Sequence, residues 1–179
     1  KTGAQLARKA ANKRNVWKTH SDGLERCPGS ITSWGIEKAI QGAPRVPWSA
    51  AGYARGLRGW IGKNVTAIHA VEFSIHHPAG FAGTADALLD IQGKGPFIVD
   101  WKTSQRERSE DMLTNYVDQC GAYSLGLKHL TGIQPAGAWI VIARRTGAPQ
   151  IRELSTLELL GAEQRFTDRV GRYFSTPVS

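Results

Sequence analysis

The chain has 179 residues, of which 41% are hydrophobic and 21% are charged. This length predicts one compact domain, and this composition excludes an intrinsically disordered chain. No apolar run approaches the roughly 20 residues of a membrane-spanning helix, and the first residues lack the pattern of a signal peptide, so we expect a soluble protein with no membrane partner.

The net charge is +8, from 23 Lys and Arg residues against 15 Asp and Glu residues. Such an excess favours a polyanionic partner, above all a nucleic acid, although a solvated basic surface is the alternative. The basic residues cluster before the first acidic residue, Asp22. Within this cluster, the candidate nucleic-acid contacts are Lys13, Arg14 and Lys18.

Two cysteines are present, Cys27 and Cys120, and they lie far apart without a CxxC arrangement. This count excludes an iron-sulfur cluster and a structural zinc site built from thiolates. We expect both cysteines to be buried free thiols.

Helical periodicity dominates the first third of the chain and gives way to strand alternation near residue 65. The predicted helices cover residues 1–27, 30–41 and 49–61, and the predicted strands cover residues 65–75, 82–91 and 96–102. A turn at residues 92–95 joins the last two strands, which predicts an antiparallel meander. In the first strand, the alternation predicts that Val71, Phe73 and Ile75 lie on one face and that Ala70, Glu72 and Ser74 lie on the other.

A long amphipathic helix is predicted at residues 110–130, followed by strands at 138–143 and 150–154. Ser155 or Thr156 is expected to begin a last helix, whose predicted inner face carries Leu160, Phe166, Val170 and Phe174. This order predicts an α/β fold in which one mixed central sheet is flanked by helices. We expect a single domain, with a helical N-terminal region at residues 1–64 and a core at residues 65–179.

The third strand places Asp100 and Lys102 on one face. Buried charges of this kind need each other, a metal or a solvated cleft. If residues 93–95 form a three-residue loop, residue 88 lies opposite Asp100 and Asp86 lies opposite Lys102, so that the two aspartates are diagonal neighbours on one face about 7 to 8 Å apart. A loop with an even number of residues would place the two acids on opposite faces.

Two carboxylates beside a lysine form an oxygen-rich site that favours Mg²⁺ or Mn²⁺ over zinc. Such a cation suits phosphoryl transfer, because it stabilises charge on the phosphate and acidifies a bound water. The spacing alone leaves open a surface hairpin with an ordinary Asp–Lys pair.

Three motifs occur in order: Gly83-Thr84-Ala85-Asp86, then Ile98-Val99-Asp100-Trp101-Lys102-Thr103-Ser104, then Gln119 with Tyr123. This set resembles the PD-(D/E)XK nuclease superfamily in its RecB-type branch, with mitochondrial genome maintenance exonucleases and phage-encoded relatives as the nearest likeness. The resemblance implies a restriction-endonuclease-like core.

The resemblance also implies roles for individual residues. Asp86, Asp100 and the main-chain carbonyl of Trp101 would bind the metal, and Lys102 would be the catalytic lysine. Gln119 and Tyr123 would border the active site. The alternative is that Gln119 is a polar residue at the flank of the helix and that Tyr123 is an ordinary core tyrosine. An N-terminal motif of the branch is similar to Arg14-Asn15 followed by His20 and Glu25, which makes His20 a further candidate metal ligand. Glu72 matches an acidic position that lies near the site in this family, and a solvent-facing side chain is the equally weighted alternative.

Further polar residues are candidates for contact with a phosphate backbone. These nucleic-acid-binding candidates are Thr103, Ser104, Arg106, Arg108, Arg144 and Arg145. Aromatic residues of the N-terminal third could stack unpaired bases, although core packing is the favoured interpretation for most of them: Trp17, Trp34, Trp48, Tyr53 and Trp60.

Together these features predict a divalent-metal-dependent DNA exonuclease that acts on single-stranded ends and leaves a 5′-phosphate. The alternatives are a structure-specific or junction endonuclease of the same superfamily, a catalytically inactive nucleic-acid-binding module, and a small-molecule enzyme on another fold. The expected location is the cytoplasm of a bacterial or phage-infected cell, or the mitochondrial matrix.

Overall fold

The computed structural model of the chain describes residues 51–175. The helices predicted at residues 1–27 and 30–41 lie outside the described residues, as does Cys27. The described elements follow the chain in this order: α1 (Ala51–Asn64), β1 (Val65–His77), β2 (Phe81–Ile91), β3 (Pro96–Ser104), α2 (Glu110–Thr131), β4 (Gly137–Arg144), β5 (Gln150–Ser155) and α3 (Thr156–Ser175).

The five strands form one mixed sheet in the order β1-β2-β3-β4-β5. The pairs β1–β2 and β2–β3 are antiparallel, which confirms the predicted meander. Strand β4 returns through α2 to pair parallel with β3, and β5 pairs antiparallel with β4. The α/β class with a mixed central sheet is therefore confirmed.

Helices cover both faces of the sheet. Helix α1 covers one face with Tyr53, Leu57 and Trp60, while α2 and α3 cover the other. The ring of Trp60 meets the ring of Trp101 edge to face at 5.7 Å, so the core interpretation holds for this tryptophan and for Tyr53. Because β3 and β4 are buried on both faces, their sequences are nearly continuous apolar runs.

Close packing fixes α2 against its neighbours. A Cβ atom at Gly126 would lie 2.7 Å from the Cβ of Ile75, and one at Gly121 would lie 2.5 Å from the backbone carbonyl carbon of Ala162. These glycines therefore let α2 approach β1 and α3 more closely than any other residue would. Cys120, which directly precedes Gly121, is a free thiol that is fully buried, as predicted.

The inner face of α3 differs from the prediction. Leu160 and Phe174 are 43% and 62% exposed, whereas Leu159 and Ala162 are fully buried. Consecutive helical residues point about 100° apart, so a stripe that runs through Leu159 excludes Leu160. Phe174 lies at the C-terminal end of α3, where its ring contacts Gly80 of the β1–β2 turn.

The turn between β2 and β3 is longer than predicted. Asp90 pairs with Pro96 and Ala87 pairs with Val99, so the predicted pairings of residue 88 with Asp100 and of Asp86 with Lys102 are wrong by two residues. The longer turn is possible because Gln92, Gly93 and Gly95 adopt positive φ angles. Continuing this pairing by one step brings Asp86 level with Asp100 on the neighbouring strand.

The face pattern of β1 and β2 changes phase at one level of the sheet. Ala70 and Leu88 pack towards α2, and so do the odd-numbered Ile75 and Ala85. Ala87, the partner of Val71, packs towards α1 instead, so the prediction that Val71 shares a face with Phe73 and Ile75 is wrong.

The phase change coincides with Glu72, whose φ angle is 48°, and with Asp86. The paired residues on either side of these two positions are Val71 with Ala87 and Phe73 with Ala85. Asp86 therefore occupies an irregular position of the sheet, where simple alternation does not determine its direction.

None of the helices between residues 51 and 175 is long and apolar enough to cross a lipid bilayer.

Helix α3 begins with a reciprocal cap, which leads to a first prediction. The amide of Ser155 donates to Glu158 Oε2 at 2.9 Å, and the amide of Glu158 donates to Ser155 Oγ at 3.3 Å. Ser155→Ala is expected to lower the free energy of unfolding by about 1 kcal/mol, measured by urea denaturation. Ser155→Gly should lower the free energy of unfolding by only a few tenths of a kcal/mol. An equal decrease for Ser155→Ala and Ser155→Gly would contradict the role of Ser155 as a cap.

The same cap predicts a pH dependence. Hydrogen bonds from Arg152 and then from Ser155 lower the pKa of Glu158 to about 2. A carboxylate whose pKa is lowered on folding stabilises the protein above its unfolded pKa, and this contribution disappears as pH falls through the folded value. Wild type should exceed Glu158→Gln in stability by at most about 1 kcal/mol at pH 7, because the side chain is half exposed. A gap that stays constant from pH 5 to pH 2.5 would contradict this cause.

Candidate active site

Strand β3 carries a buried ion pair in the middle of the sheet. Asp100 is 0% exposed, and Lys102 Nζ lies 2.7 Å from its Oδ1 and 2.6 Å from its Oδ2. Of these two contacts only the one to Oδ1 has hydrogen-bond geometry, so Oδ2 remains a buried acceptor without a hydrogen bond from the described residues. The pair faces α2, while Val99 and Trp101 face α1.

Asp86 joins the pair from β2. The regular pairing of β2 with β3 ends at Ala87 and Val99. Just beyond this pair, the backbone amide of Trp101 donates a hydrogen bond to Asp86 Oδ2 at 2.8 Å. The side chain of Asp86 thus accepts a backbone hydrogen bond where the regular ladder ends. The prediction that the two aspartates share a face with Lys102 agrees with this geometry.

Burial alters the protonation of both aspartates. The pKa of Asp100 is raised to about 7, because the effect of burial, to which the charge of Asp86 adds, exceeds the opposing effect of the Lys102 charge. The pKa of Asp86 is also raised by burial, against the hydrogen bond from Trp101 and the charge of Lys102. One lysine is therefore too little positive charge for two enclosed carboxylates, and a cation between them would favour their ionised forms.

Helix α2 forms the wall of the site. Gln119 Nε2 donates to the hydroxyl of Tyr123 at 2.6 Å, which is the contact expected for residues four apart on a helix. Burial, followed by the charges of Asp100 and Asp86, raises the pKa of Tyr123. The tyrosine therefore stays protonated beside the carboxylates, and its ring packs over Gly83 of the first motif.

A second tyrosine of α2 contacts the lysine. Lys102 Nζ stands 5.0 Å from the centre of the Tyr116 ring, a cation–π distance. Tyr116 is not among the site residues predicted from the sequence. Its spacing of seven residues from Tyr123 places both rings on one face of α2, and this was the signal that could have identified it.

The donor set fits a hard divalent cation in part. Asp86 and Asp100 supply carboxylate oxygens from neighbouring strands, and the carbonyl of Trp101 follows Asp100 directly. Among residues 51–175, no three side chains of His, Cys, Asp or Glu lie close enough together to form a metal site on their own. Two carboxylates with few other protein ligands suit Mg²⁺, which usually keeps several waters.

Several predicted site residues lie outside the described part of the chain: His20, Lys13, Arg14 and Lys18. Glu72 is exposed. It lies on β1 beside Asp86 of β2, between the Val71–Ala87 and Phe73–Ala85 pairs where the two strands change phase.

The candidate phosphate contacts lie at the ends of β3 and β4 and in the segments that directly follow these two strands. Ser104 pairs with Arg144, and its hydroxyl is engaged by the backbone of Arg106 at 2.5 and 3.3 Å. Arg144 and Glu107 are 3.9 Å apart at an exposed position, and Arg145 is exposed. Thr103 is half-buried on β3, and Arg108 is half-buried just before α2.

Comparisons with known proteins agree with this arrangement. A structure from Eubacterium rectale named "Putative exonuclease" superposes with a TM-score of 0.55 at 14% sequence identity, over 83% of this chain and 66% of that one, so it shares the fold. This chain thus spans slightly under two thirds of that protein. No curated protein is similar enough to this chain to count as a match. The family described as the PD-(D/E)XK nuclease superfamily matches residues 3–176. Because this match covers nearly the whole chain, the protein belongs to the PD-(D/E)XK nuclease superfamily.

Proposed function

We propose that this protein is a divalent-metal-dependent deoxyribonuclease that hydrolyses DNA from single-stranded ends. The observation that carries the proposal is the convergence of Asp86, Asp100 and Lys102 on one face of the sheet. Membership of a nuclease superfamily makes a nucleic acid the substrate, and the net charge of +8 suits a polyanion.

Asp86, Asp100 and the carbonyl of Trp101 would hold Mg²⁺ or Mn²⁺, with His20 as a further candidate. When bound, the cation supplies charge stabilisation at the scissile phosphate and lowers the pKa of an attacking water.

The residues of the chain then have separate tasks. Lys102 is fixed by Asp100 and by the Tyr116 ring, so its ammonium group is held ready to orient the attacking water and to donate a hydrogen bond to a phosphate oxygen. Gln119 and Tyr123 close the α2 side of the site and keep a protonated hydroxyl beside the carboxylates. Hydrolysis by this route leaves a 5′-phosphate.

End dependence and strand preference rest on similarity. The relative from Eubacterium rectale is named an exonuclease, and the three motifs resemble exonucleases of the RecB-type branch. The basic and aromatic residues before residue 50 favour a single strand with unpaired bases. An endonuclease of the same superfamily would use the same three residues.

The catalytic role of Lys102 gives a direct prediction. Lys102→Ala is expected to lower kcat by about 10² to 10³, because a preorganised hydrogen-bond donor at the developing charge is lost. The measurement is release of nucleotides from an end-labelled single strand in Mg²⁺ or Mn²⁺. Lys63→Ala, on the far side of the sheet, is the charge-matched control and should cleave at the wild-type rate. Wild-type turnover by Lys102→Ala, or cleavage that persists in chelator, would contradict the mechanism.

The role of Asp100 predicts a change in stability that needs no turnover. A saturating cation at about 100 times its Kd should raise the free energy of unfolding of the wild type by about 2.7 kcal/mol, and Asp100→Asn should lose this gain. Thermal denaturation in Mn²⁺ and in chelator measures both. Asp118→Asn is the matched control, because Asp118 is also buried but pairs with Arg165 and Arg169 at the α2–α3 contact. It should be destabilised yet keep the response to metal; an Asp100→Asn variant that keeps the response would remove Asp100 from the metal site.

End dependence is tested with circles. Linear single strands should be degraded and circular single strands of the same sequence should survive. Digestion of circles would contradict an exonuclease and would leave the endonuclease alternative with the same metal site.

A further inference from the structure

Arg108 is a cation near the candidate active site that forms no ion pair with the residues that the structure describes. It is half-buried, and its Nε is enclosed without a hydrogen-bond acceptor from the described residues. Within residues 51–175 its guanidinium takes part in no ion pair. A guanidinium has five donors that ordinarily bind carboxylate or phosphate, so this one is available to an anion from outside the chain.

The backbone of Arg108 is fixed by a side chain from the far strand. Gln150 accepts from the amide of Arg108 at 2.9 Å and donates to its carbonyl at 2.7 Å. Gln150 pairs with Ile142, and Ile142 pairs with Lys102. One row across β3, β4 and β5 therefore links the anchor of Arg108 to the strand position of Lys102, about 10 Å away at the usual strand spacing.

The side chain of Arg108 contacts the same tyrosine ring as Lys102. The guanidinium carbon lies 5.9 Å from the centre of the same ring that Lys102 Nζ approaches at 5.0 Å. Two cations thus share one aromatic ring, but only Lys102 has a carboxylate partner. Their mutual repulsion is relieved when an anion binds beside Arg108.

We propose that Arg108 binds a phosphate of the DNA strand next to the scissile phosphate, and that Tyr116 and Gln150 position it there. This inference rests on the proposed function, because it names how the same site holds its substrate. Arg144 is less suited to the task because it lies opposite Glu107. The backbone of Arg106 is also held by one side chain, that of Ser104, but Arg106 and Arg145 are exposed, whereas Arg108 is half-buried against the Tyr116 ring. A planar donor fork held in place suits a phosphate diester better than a mobile surface arginine does.

The test measures binding of a fluorescent single-stranded oligonucleotide in the Asp100→Asn background, so that the strand is not cut. Arg108→Ala should raise Kd about tenfold and reduce the slope of log Kd against log salt concentration by about 0.7, the value for one phosphate contact on a single strand. Arg58→Ala, an exposed arginine on α1 at the opposite face of the sheet, should change Kd by less than twofold.

Variants of the ring separate positioning from general damage. Tyr116→Phe keeps the aromatic face and should bind like its parent, whereas Tyr116→Leu should raise Kd as Arg108→Ala does. With Asp100 restored, Arg108→Ala should raise KM about tenfold and change kcat less than twofold, because a contact outside the reacting phosphate is equally strong in the ground and transition states.

An unchanged Kd, or a raised Kd with an unchanged salt slope, would overturn the phosphate contact. A large fall in kcat with constant KM would also overturn it, since Arg108 would then act on the reacting phosphate. If the wild type fails to cleave DNA while the loss of affinity and slope is found, the proposed function fails and the phosphate contact stands.

Discussion

The structure depends on placing an aspartate and a lysine inside an apolar sheet. Asp100 is fully buried in β3, between strands whose fully buried side chains are hydrophobic, and Lys102 is its partner two residues further along the chain. Such a pair contributes little to stability, because desolvation offsets most of the attraction. Its position is explained by function, since a low-dielectric setting strengthens the interactions of both groups with a phosphate and a cation.

The fold brings the second carboxylate to this pair by breaking a regular pattern. In an uninterrupted ladder, Asp86 would be one more alternating residue of β2. Here β1 and β2 change phase at Glu72 and Asp86, and the Asp86 carboxylate replaces a ladder acceptor for the amide of Trp101. Irregular strand positions of this kind are common beside active sites because they redirect a side chain. Gly126 lets α2 lie close to Ile75 of β1, and Tyr123 of the same helix packs near Gly83 of β2.

Much of the fold could be predicted from the sequence, and the predictions that were wrong or missing have physical reasons. The meander, the long helix and the mixed sheet followed from apolar periodicity, which is strong in buried strands such as β4. The predicted register of β2 with β3 was wrong by two residues. A Gln-Gly-Lys-Gly segment permits several loop lengths, and the buried face determines only whether the number of loop residues is odd or even. The exposed Leu160 shows that a single step along a helix is enough to misplace a residue. Tyr116 and Gln150 escaped notice because their contacts join elements far apart in the chain.

The central claim is that Asp86 and Asp100 share one divalent cation. The most direct measurement is X-ray diffraction from crystals grown with Mn²⁺, with data collected at a wavelength where manganese scatters anomalously. The claim predicts an anomalous peak in contact with carboxylate oxygens of both aspartates. A peak elsewhere, or a well-ordered site at full Mn²⁺ concentration in which Lys102 alone neutralises both carboxylates, would contradict it.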